Sequence, residues 1–549
     1  MKENHRPLYL LLFILALVVN FSGFNLDFFT DDPALYASIS KNLVHRHEFL
    51  QLFTYNQAWL DKPHFPFWAV MISFKIFGIS VWAYRLPAMF FFLLSLLYTW
   101  FFTKKHYGEE TAWIAVLILS TAQHVLMSNT DVRAEPYLMG LVIGAIYYIS
   151  RLKERYTLAD LLLAALFTAC AIMTKGIFVI VAIYGALLGQ LIFSGRFKQV
   201  FQWKWVFLFL VTAVFVLPEI YALYVQFDAH PEKTVFHRHN VSGIRWFLWD
   251  SQFGRFVNKG AITRQSGSIF FYMHTLLWAF APWCLLFYYA IFRNIRKIIR
   301  RKKLNEYYSL SGGMLLLLLF SLSRFQLPFY TNTIFPLFAI MTAPVCLESL
   351  GKTGLWFRQI GLWIYIIALF VTIIIIQYIA KPGHIAYFIA GLLFFAIVVI
   401  IIFRKTGMPN IRAFLLACAV MLFANFYLNT VFYKLIINYR GQINAANYTN
   451  QAAFDSYHFY TLRTENNSFQ FYSKHPIDYV PLDSFRTFKP AEPSAFYANK
   501  KSIDSLRILH ADFRVIKAFE NYPQENVLLT FIDQKTRHST LDSVYLVTK

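Results

Sequence analysis

Long apolar runs alternate with short polar and basic segments along most of the chain. A membrane-spanning helix needs roughly 20 apolar residues, and about 13 runs approach that length. Their centres lie near residues 16, 93, 119, 143, 165, 185, 214, 280, 314, 337, 369, 394 and 421. The first run, residues 8 to about 24, is long for a cleaved secretory signal and has no small-residue cleavage site after it. The pattern predicts a mostly α-helical, polytopic membrane protein with about 13 transmembrane helices.

The composition supports lipid rather than water as the solvent. Of the 549 residues, 58% are hydrophobic and 15% are charged, whereas a soluble domain carries roughly 25% charged residues. The four cysteines lie inside apolar runs and none has a Cys-x-x-Cys partner, so we expect neither a disulfide framework nor a thiolate zinc site. They are Cys170, Cys284, Cys346 and Cys418.

Basic residues set the predicted orientation of the helices. The net charge is +22, but lysine and arginine occur in short clusters between apolar runs, so nucleic-acid binding is not expected. Residues 293–303 alone hold seven basic residues, whereas the short connections on the other side hold single ones. Because cytoplasmic loops are enriched in lysine and arginine, we predict a multi-pass protein of the cell (inner) membrane with a cytoplasmic N-terminus.

This orientation divides the chain into two predicted domains. Residues 1–437 form a transmembrane domain, whose long outer loops are residues 25–82 and 225–268. Residues 438–549 form a tail in the periplasm. Short alternating runs in the tail predict a small soluble α/β domain. These runs are residues 468–472, 526–532 and 543–547.

Two adjacent carboxylates open the first outer loop, in the segment Thr30-Asp31-Asp32-Pro33. A short helix is expected over residues 34–43. A carboxylate at this position can act as a general base on a hydroxyl or amine, or hold a metal ion. Asp32 also precedes a proline, and Asp-Pro is a common helix start, so a simple N-cap is the alternative.

The same loop contains the sequence Asp-Lys-Pro-His at residues 61–64, followed by an apolar helix over residues 65–78 that is expected to lie on the membrane surface. Lys62 at such a surface can bind a lipid phosphate. The alternative is a lysine that merely extends its ammonium group out of the apolar layer. Aromatic residues of the loop could stack on a sugar face; they are Tyr55, Trp59 and Trp68.

Together these motifs resemble those of the protein O-mannosyltransferase and lipid A aminoarabinose transferase group. The group has a carboxylate after its first span, a tyrosine four residues later and an acid-Lys-Pro motif further on. By that spacing Asp32, four residues before Tyr36, matches the catalytic position, and Asp61 and Lys62 match the acid-Lys-Pro motif. The resemblance covers roughly residues 8–345 and implies a GT-C fold.

Three later outer segments extend the resemblance. Asp131 matches an acidic residue of the family in the next outer loop, although a simple cap of the fourth span is the alternative. The family histidine of the second long loop is matched best by His239 and next by His237. In a segment where the family often has lysine, this chain has Gln326, so the charge falls to Arg324.

The resemblance implies sugar transfer from a polyprenyl-phosphate donor to an acceptor, with inversion at the anomeric carbon. Asp32 would deprotonate the acceptor, and Asp131 and Asp61 would orient it or stabilise charge on the sugar. Retention would instead require a second carboxylate as nucleophile. The predicted substrate-binding residues neutralise the leaving phosphate or flank the residues that do. They are Lys62, Arg324, Arg133, Tyr330, Asp31 and Tyr36.

The expected partners are the lipid-linked sugar donor, a lipid or protein acceptor (lipid A, protein or another glycan) and membrane lipids. The sequence indicates no cofactor with certainty, and dependence on a divalent metal is left open. A metal at His239 would need a carboxylate, for which Asp61 is the candidate, and an isolated His-x-His is a weak metal signal.

Two other functions fit a polytopic chain. A transporter or lipid flippase would place ionisable or helix-breaking residues near the midplane of several spans. Here the spans hold few ionisable groups, with Glu219 near a span end, and the acidic and aromatic candidates lie in the outer loops. An oligosaccharide ligase or polymerase would rest on other basic loop residues, without the first-loop Asp and the Asp-Lys-Pro motif. The sequence therefore favours a glycosyltransferase.

Overall fold

The computed structural model describes residues 5–348, 351–462, 466–524 and 526–549. One large apolar core runs through the helical part, and the tail has apolar clusters of its own. Residues 1–4, which begin the predicted cytoplasmic N-terminus, lie outside the described part of the chain. The described fold is mostly helical, as predicted.

The helices up to residue 438 comprise long apolar elements and short elements in the predicted outer loops. They are α1 Arg6–Ser22, α2 Asp31–His45, α3 Phe65–Phe77, α4 Val81–Tyr107, α5 Glu109–Thr121, α6 Gln123–Thr130, α7 Glu135–Glu154, α8 Leu158–Lys175, α9 Val179–Phe193, α10 Trp203–Leu223, α11 Gly243–Arg245, α12 Ser251–Val257, α13 Phe271–Ala279, α14 Cys284–Ile299, α15 Tyr308–Leu322, α16 Phe335–Leu347, α17 Lys352–Ala380, α18 Ile385–Lys405, α19 Pro409–Tyr427 and α20 Tyr433–Asn438. Short 3-10 or π turns lie at Phe197–Phe201, Tyr224–Asp228, Trp246–Asp250, Pro328–Ile334 and Leu428–Phe432. A two-stranded hairpin in the first outer loop pairs β1 Phe53–Thr54 with β2 Gln57–Ala58.

The helices follow the predicted apolar runs. Every predicted centre except residue 280, which falls between α13 and α14, lies inside a helix. Within the described residues, seven helices are long and apolar enough to cross a membrane, or eight if α5 and α6, bent by 55°, form one span. Four further apolar helices have 10–17 residues. The count of spans rests on helix length and composition alone, so helices such as α1 and α7, which each cover a predicted apolar run, are not included in it.

Helix α6 brings polar side chains into one end of the helical bundle. The chain bends at Ala122, which has an extended conformation, and α6 continues with a series of buried polar residues. Asn129 donates from Nδ2 to Oδ1 of Asn20 in α1 at 2.7 Å, and Nδ2 of Asn332 donates to Oγ of Ser128 at 2.6 Å. Since buried polar groups are normally hydrogen-bonded, these contacts fix α6 against its neighbours.

The predicted outer loops come together at one end of the bundle. Asp32 from the first loop, Arg133 between α6 and α7, Lys175 at the end of α8 and Arg255 from the second long loop all line one cavity. The loops that the charge pattern assigned to one side are therefore neighbours in space. The compartment that this side faces stays a prediction, as does the domain boundary at residue 438.

The tail contains a five-stranded mixed sheet with the strand order β4-β3-β5-β7-β6. Strand β3 pairs in parallel with β4 and β5, whereas β7 is antiparallel to β5 and β6. The strands are β3 His458–Leu462, β4 Ile477–Val480, β5 Ser494–Asn499, β6 Arg514–Asn521 and β7 Asp542–Thr548. The helices of the tail are α21 Gly441–Thr449, α22 Asn467–Tyr472, α23 Lys500–Ile508 and α24 Leu529–Ile532. Single 3-10 turns lie at Ala452–Phe454, Leu482–Ser484 and Arg537–Thr540.

Of the three alternating runs in the tail, only the last forms a strand. Residues 543–547 lie within β7, but residues 468–472 are helical in α22 and residues 526–532 end in α24. At α22 the Asn466 side chain accepts a hydrogen bond from the backbone N–H of Phe469 at 2.8 Å. This N-cap outweighs the alternating pattern in a segment of only six residues.

Helix α22 of the tail packs against α2, the helix that carries the first-loop carboxylates. Lys41 of α2 is buried and donates from Nζ to the carbonyl oxygens of Gln470 and Phe471 at 3.1 Å and of Ser473 at 2.5 Å. A cation at a helix C-terminus is favourable because the last carbonyls carry partial negative charge. The tail therefore helps to hold α2 in place.

Candidate active site

Asp32 lies in the first turn of α2 and points toward a cation from another loop. The helix begins at Asp31, and Thr30 precedes it in an extended conformation, so Asp32 is not the N-cap. Oδ2 of Asp32 lies 2.6 Å from Nη1 of Arg133. The Asp32 side chain remains 44% exposed, so this carboxylate is accessible as well as paired.

Asp131 lies on the other side of the same arginine. Its Oδ2 is 3.2 Å from Nη2 of Arg133, and its Oδ1 accepts a short hydrogen bond from the Thr30 hydroxyl. Helix α7 begins later, at Glu135, so Asp131 does not cap it. Burial lowers the pKa of Arg133, but Asp131 and Asp32 outweigh that effect and raise it above its usual value. Arg133 therefore stays charged and bridges the two carboxylates.

Asp61 joins two cations from distant parts of the chain. Its Oδ2 is 2.5 Å from Nζ of Lys62, and its Oδ1 pairs with Nη2 of Arg255 in α12. Burial raises the pKa of Asp61, but Lys62 and Arg255 outweigh burial and hold that pKa below its usual value. Asp61 is therefore a carboxylate that positions cations.

The two cations beside Asp61 differ in how firmly they keep their charge. Burial, with the nearby charge of Arg255, lowers the pKa of Lys62 to about 8. Arg255 has its pKa raised, since Asp61 and neighbouring groups outweigh the lowering effect of burial. Nε of Arg255 is buried and has no hydrogen-bond partner in the described part of the chain. That N–H is a donor available to an anion.

These groups surround one cavity of about 120 Å³. Lys175 also lines it, forms a buried ion pair with Glu135 and lies 4.1 Å above the ring of Tyr330. The charged lining consists of five cations and three carboxylates, an excess of two positive charges. The charged residues are Lys62, Arg133, Lys175, Arg255, Arg264, Asp32, Asp61 and Glu135. The cavity can hold an anionic group beside the carboxylates of Asp32 and Asp61.

Several predicted substrate-binding residues lie in this cavity, and others do not. Lys62, Arg133, Tyr36 and Tyr330 line it together with the aspartates. Asp31 instead accepts a hydrogen bond from Nδ2 of Asn467 in the tail at 2.8 Å, which is a structural contact.

The prediction that Arg324 binds the phosphate is not supported by the geometry. The Arg324 side chain is exposed and is not among the described residues that line the cavity. Gln326 folds back instead, and its Nε2 donates to the carbonyl oxygens of Phe320 and Ser321 at the end of α15. Backbone hydrogen bonds to Phe256 and Gly267 hold Arg324 in a loop crossing, so its main chain rather than its charge is engaged.

The aromatic residues singled out near the Asp-Lys-Pro motif pack within the first loop. Trp59 contacts Tyr36 and Phe67 edge to face, and Trp68 donates from Nε1 to the Phe49 carbonyl at 2.7 Å. Tyr55 is buried and its hydroxyl accepts from the N–H of Asn466. The aromatic rings that line the cavity are Tyr36, Phe325, Phe329 and Tyr330.

The suggested metal site at His239 and Asp61 does not assemble. His239 is exposed and its Nδ1 lies 3.1 Å from the Glu232 carbonyl, whereas both oxygens of Asp61 contact cations. His237 is exposed as well. Across the described residues, no group of three or more His, Cys, Asp and Glu side chains could hold a metal ion. The donor set at Asp61 is therefore suited to cations of the protein rather than to a metal.

Sequence reasoning missed four charged residues of the cavity: Glu135, Lys175, Arg255 and Arg264. Lys175 could have been found, because it is one of the few basic residues in the short outer connections. Glu135 stands four residues after Asp131 in the same loop. Arg255 and Arg264 have no local signal that separates them from the other basic residues of the second long loop.

Comparison with protein families matches residues 61–221 to the dolichyl-phosphate-mannose-protein mannosyltransferase family. An uncharacterized protein of Aquifex aeolicus is 25% identical over 61% of this chain and 63% of its own length. The undecaprenyl phosphate-alpha-4-amino-4-deoxy-L-arabinose arabinosyl transferase of Yersinia enterocolitica is 23% identical over 54% of this chain and 52% of its own length. The chain thus spans about half to two-thirds of these curated relatives.

Two solved structures share the fold over nearly the whole chain. ArnT from Cupriavidus metallidurans bound to undecaprenyl phosphate superposes with a TM-score of 0.76, at 15% identity over 98% of this chain and 97% of that one. Its apo state gives a TM-score of 0.73 at 17% identity, over 94% and 97% of the two chains. The protein therefore has the GT-C fold of ArnT, and its residues 61–221 carry the sequence pattern of the dolichyl-phosphate-mannose-protein mannosyltransferase family, as the first-loop motifs suggested.

Proposed function

We propose that this protein transfers a sugar from a polyprenyl-phosphate donor to an acceptor at the periplasmic face of the inner membrane. The observation that carries the proposal is one cavity, at one end of the helical bundle, that is lined by five cations and three carboxylates. Its excess of two positive charges complements the polyprenyl phosphate that leaves as a dianion. The relatives named arabinosyl transferase support the same class of donor.

In this mechanism the cations bind the phosphate that leaves with the lipid. Lys62, Arg255 and Lys175 line this cavity and also line a smaller pocket together, and the buried Nε–H of Arg255 lacks a partner within the described residues. As the bond between the anomeric carbon and the phosphate oxygen breaks, negative charge grows on that oxygen. Fixed cations in a partly buried site stabilise this charge without reorganisation, which is usually a large share of catalysis.

Asp32 is the proposed base. The acceptor oxygen attacks the anomeric carbon, its proton passes to Asp32, and the polyprenyl phosphate departs with the electrons of the broken bond. Asp131 is less suited to take the proton because Thr30 and Arg133 engage its two oxygens, whereas Asp32 is 44% exposed. A single displacement of this kind inverts the configuration of the sugar.

Transfer is tested with purified protein in lipid nanodiscs. Undecaprenyl-phosphate mannose and the corresponding aminoarabinose donor are supplied with radiolabel in the sugar, together with the lipid and protein fractions of the native membrane. We expect label to move to one fraction, and added undecaprenyl phosphate to inhibit this as product. Failure to bind undecaprenyl phosphate, combined with faster flipping of polyprenyl lipids across vesicles, would instead support the transporter function.

The charge of Lys62 makes binding of the product, undecaprenyl phosphate, depend on pH. Its pKa of about 8 means that Lys62 is protonated below that pH and neutral above it. A phosphate monoester is already a dianion there, since its second pKa is about 6. Binding of undecaprenyl phosphate, measured by tryptophan fluorescence, is therefore expected to weaken about tenfold as the pH rises through 8.

The pH control must separate Lys62 from Lys41, because burial also lowers the pKa of Lys41 to about 8. Lys62→Met should bind more weakly at neutral pH and lose the pH step, whereas Lys41→Met should keep it. A step that persists in Lys62→Met shows that another group causes it.

A further inference from the structure

A second cavity adjoins the cation-lined one. It has a volume of about 420 Å³ and shares Arg133, Glu135 and Phe329 with the first. Asp131 lines this second cavity, whereas Asp32 lines the first. Arg133, which pairs with both aspartates, therefore stands between the two spaces.

His124 of α6 lines the second cavity, and its neighbours fix which ring nitrogen carries the proton. Nδ2 of Asn332 donates to the carbonyl oxygen of His124 at 3.2 Å and to the hydroxyl of Ser128 at 2.6 Å. A carbonyl oxygen only accepts, so the orientation of the Asn332 amide is set and its Oδ1 must be the atom facing His124. That Oδ1 lies 2.8 Å from Nδ1 of His124, which must therefore be the donor.

The other nitrogen of a neutral imidazole then has a free lone pair. The His124 side chain is only 8% exposed, and Nε2 has no hydrogen-bond partner among the residues that the structure describes. Since His124 lines the second cavity and its ring orientation is fixed by Asn332, the lone pair of Nε2 is available to a group that enters the cavity. The incoming group must be a hydrogen-bond donor.

We propose that the second cavity holds the acceptor and that His124 positions it, with Nε2 accepting a hydrogen bond from an acceptor hydroxyl other than the attacking one, whose proton passes to Asp32. This inference rests on the proposed function and adds the place and chemical class of the acceptor. Donor phosphate and acceptor then approach from opposite sides of Arg133. The apolar walls favour a hydroxyl group carried on an amphiphile; they are formed by Phe29, Met127, Leu428, Phe432, Ile436 and Val527.

Two substitutions at His124 separate this role from simple packing. Glutamine places an amide oxygen close to the position of Nε2, whereas asparagine retains a polar group near Nδ1, where Asn332 contacts the ring. If Nε2 positions the acceptor, His124→Asn should raise the acceptor KM about tenfold and His124→Gln should stay within about threefold of wild type. If only the contact with Asn332 matters, His124→Gln should raise the acceptor KM more than His124→Asn does, and this result would overturn the inference.

The assay uses octyl glucoside as the hydroxyl-bearing amphiphile and a labelled undecaprenyl-phosphate sugar as donor. The donor KM, the slow hydrolysis of donor by water and the binding of undecaprenyl phosphate should be unchanged in both variants. Equal acceptor KM values in His124→Asn, His124→Gln and wild type overturn the role of His124 while leaving the glycosyltransferase function intact. If the wild-type protein neither hydrolyses the donor nor binds undecaprenyl phosphate, the proposed function itself is rejected.

Discussion

Asp32→Asn is expected to lower the rate of sugar transfer by about 10²- to 10⁴-fold, the usual contribution of a general base. The amide is nearly isosteric with the carboxylate but cannot accept the acceptor proton. Binding of undecaprenyl phosphate should be retained or strengthened, because Arg133 loses the partner that lies 2.6 Å away and keeps its charge. The measurements are transfer in nanodiscs at matched protein amounts and phosphate binding by tryptophan fluorescence.

The neighbouring residue supplies the matched control. Asp31 belongs to the same helical turn, but its carboxylate contacts Asn467 of the tail rather than the cavity. Asp31→Asn should therefore keep most of the transfer activity. Full activity in Asp32→Asn would reduce Asp32 to a structural residue of α2, and equal losses in both variants would indicate damage to the helix rather than to a base.

The course of the helices could be predicted from the sequence because lipid leaves few alternatives. A buried backbone in a bilayer must satisfy its own hydrogen bonds, so an apolar run becomes a helix almost regardless of its neighbours. The tail does not share this constraint. In residues 468–472 one side-chain cap from Asn466 decides between strand and helix, and alternation alone predicts the wrong element.

The candidate site, too, could be predicted from the sequence only in part. The candidate residues Asp32, Asp61 and Lys62 could be selected from the sequence because each lies in a short local pattern. Arg255 is 194 residues from its partner Asp61, and no local pattern records that contact. Sequence spacing therefore identifies chemistry within one loop, whereas the completion of a cation cluster depends on packing between loops.

The sequence predicted Arg324 as a phosphate-binding residue, whereas the structure places Arg255 in the cavity. Substitutions at these two arginines test which of them binds the phosphate. Arg255→Gln should lower transfer by about 10²- to 10³-fold, as expected when one fixed donor to a developing negative charge is removed. Its guanidinium pairs with Asp61 and offers a buried, unpaired Nε–H, as judged over the described residues. Arg255→Lys should recover little, because an ammonium group lacks the planar set of donors.

Arg324→Gln is the control for Arg255→Gln, because Arg324 is exposed and removing it makes the same change in net charge. We expect Arg324→Gln to keep transfer and undecaprenyl phosphate binding near wild-type levels in nanodiscs, while Arg255→Gln loses both. The opposite ranking would mean that the phosphate is held at the loop crossing beside Arg324 rather than in the cation-lined cavity.

Because the lining has an excess of only two positive charges, loss of Arg255 halves that excess. The deficit should therefore also appear as a weaker salt dependence of binding, since fewer fixed charges attract the anion.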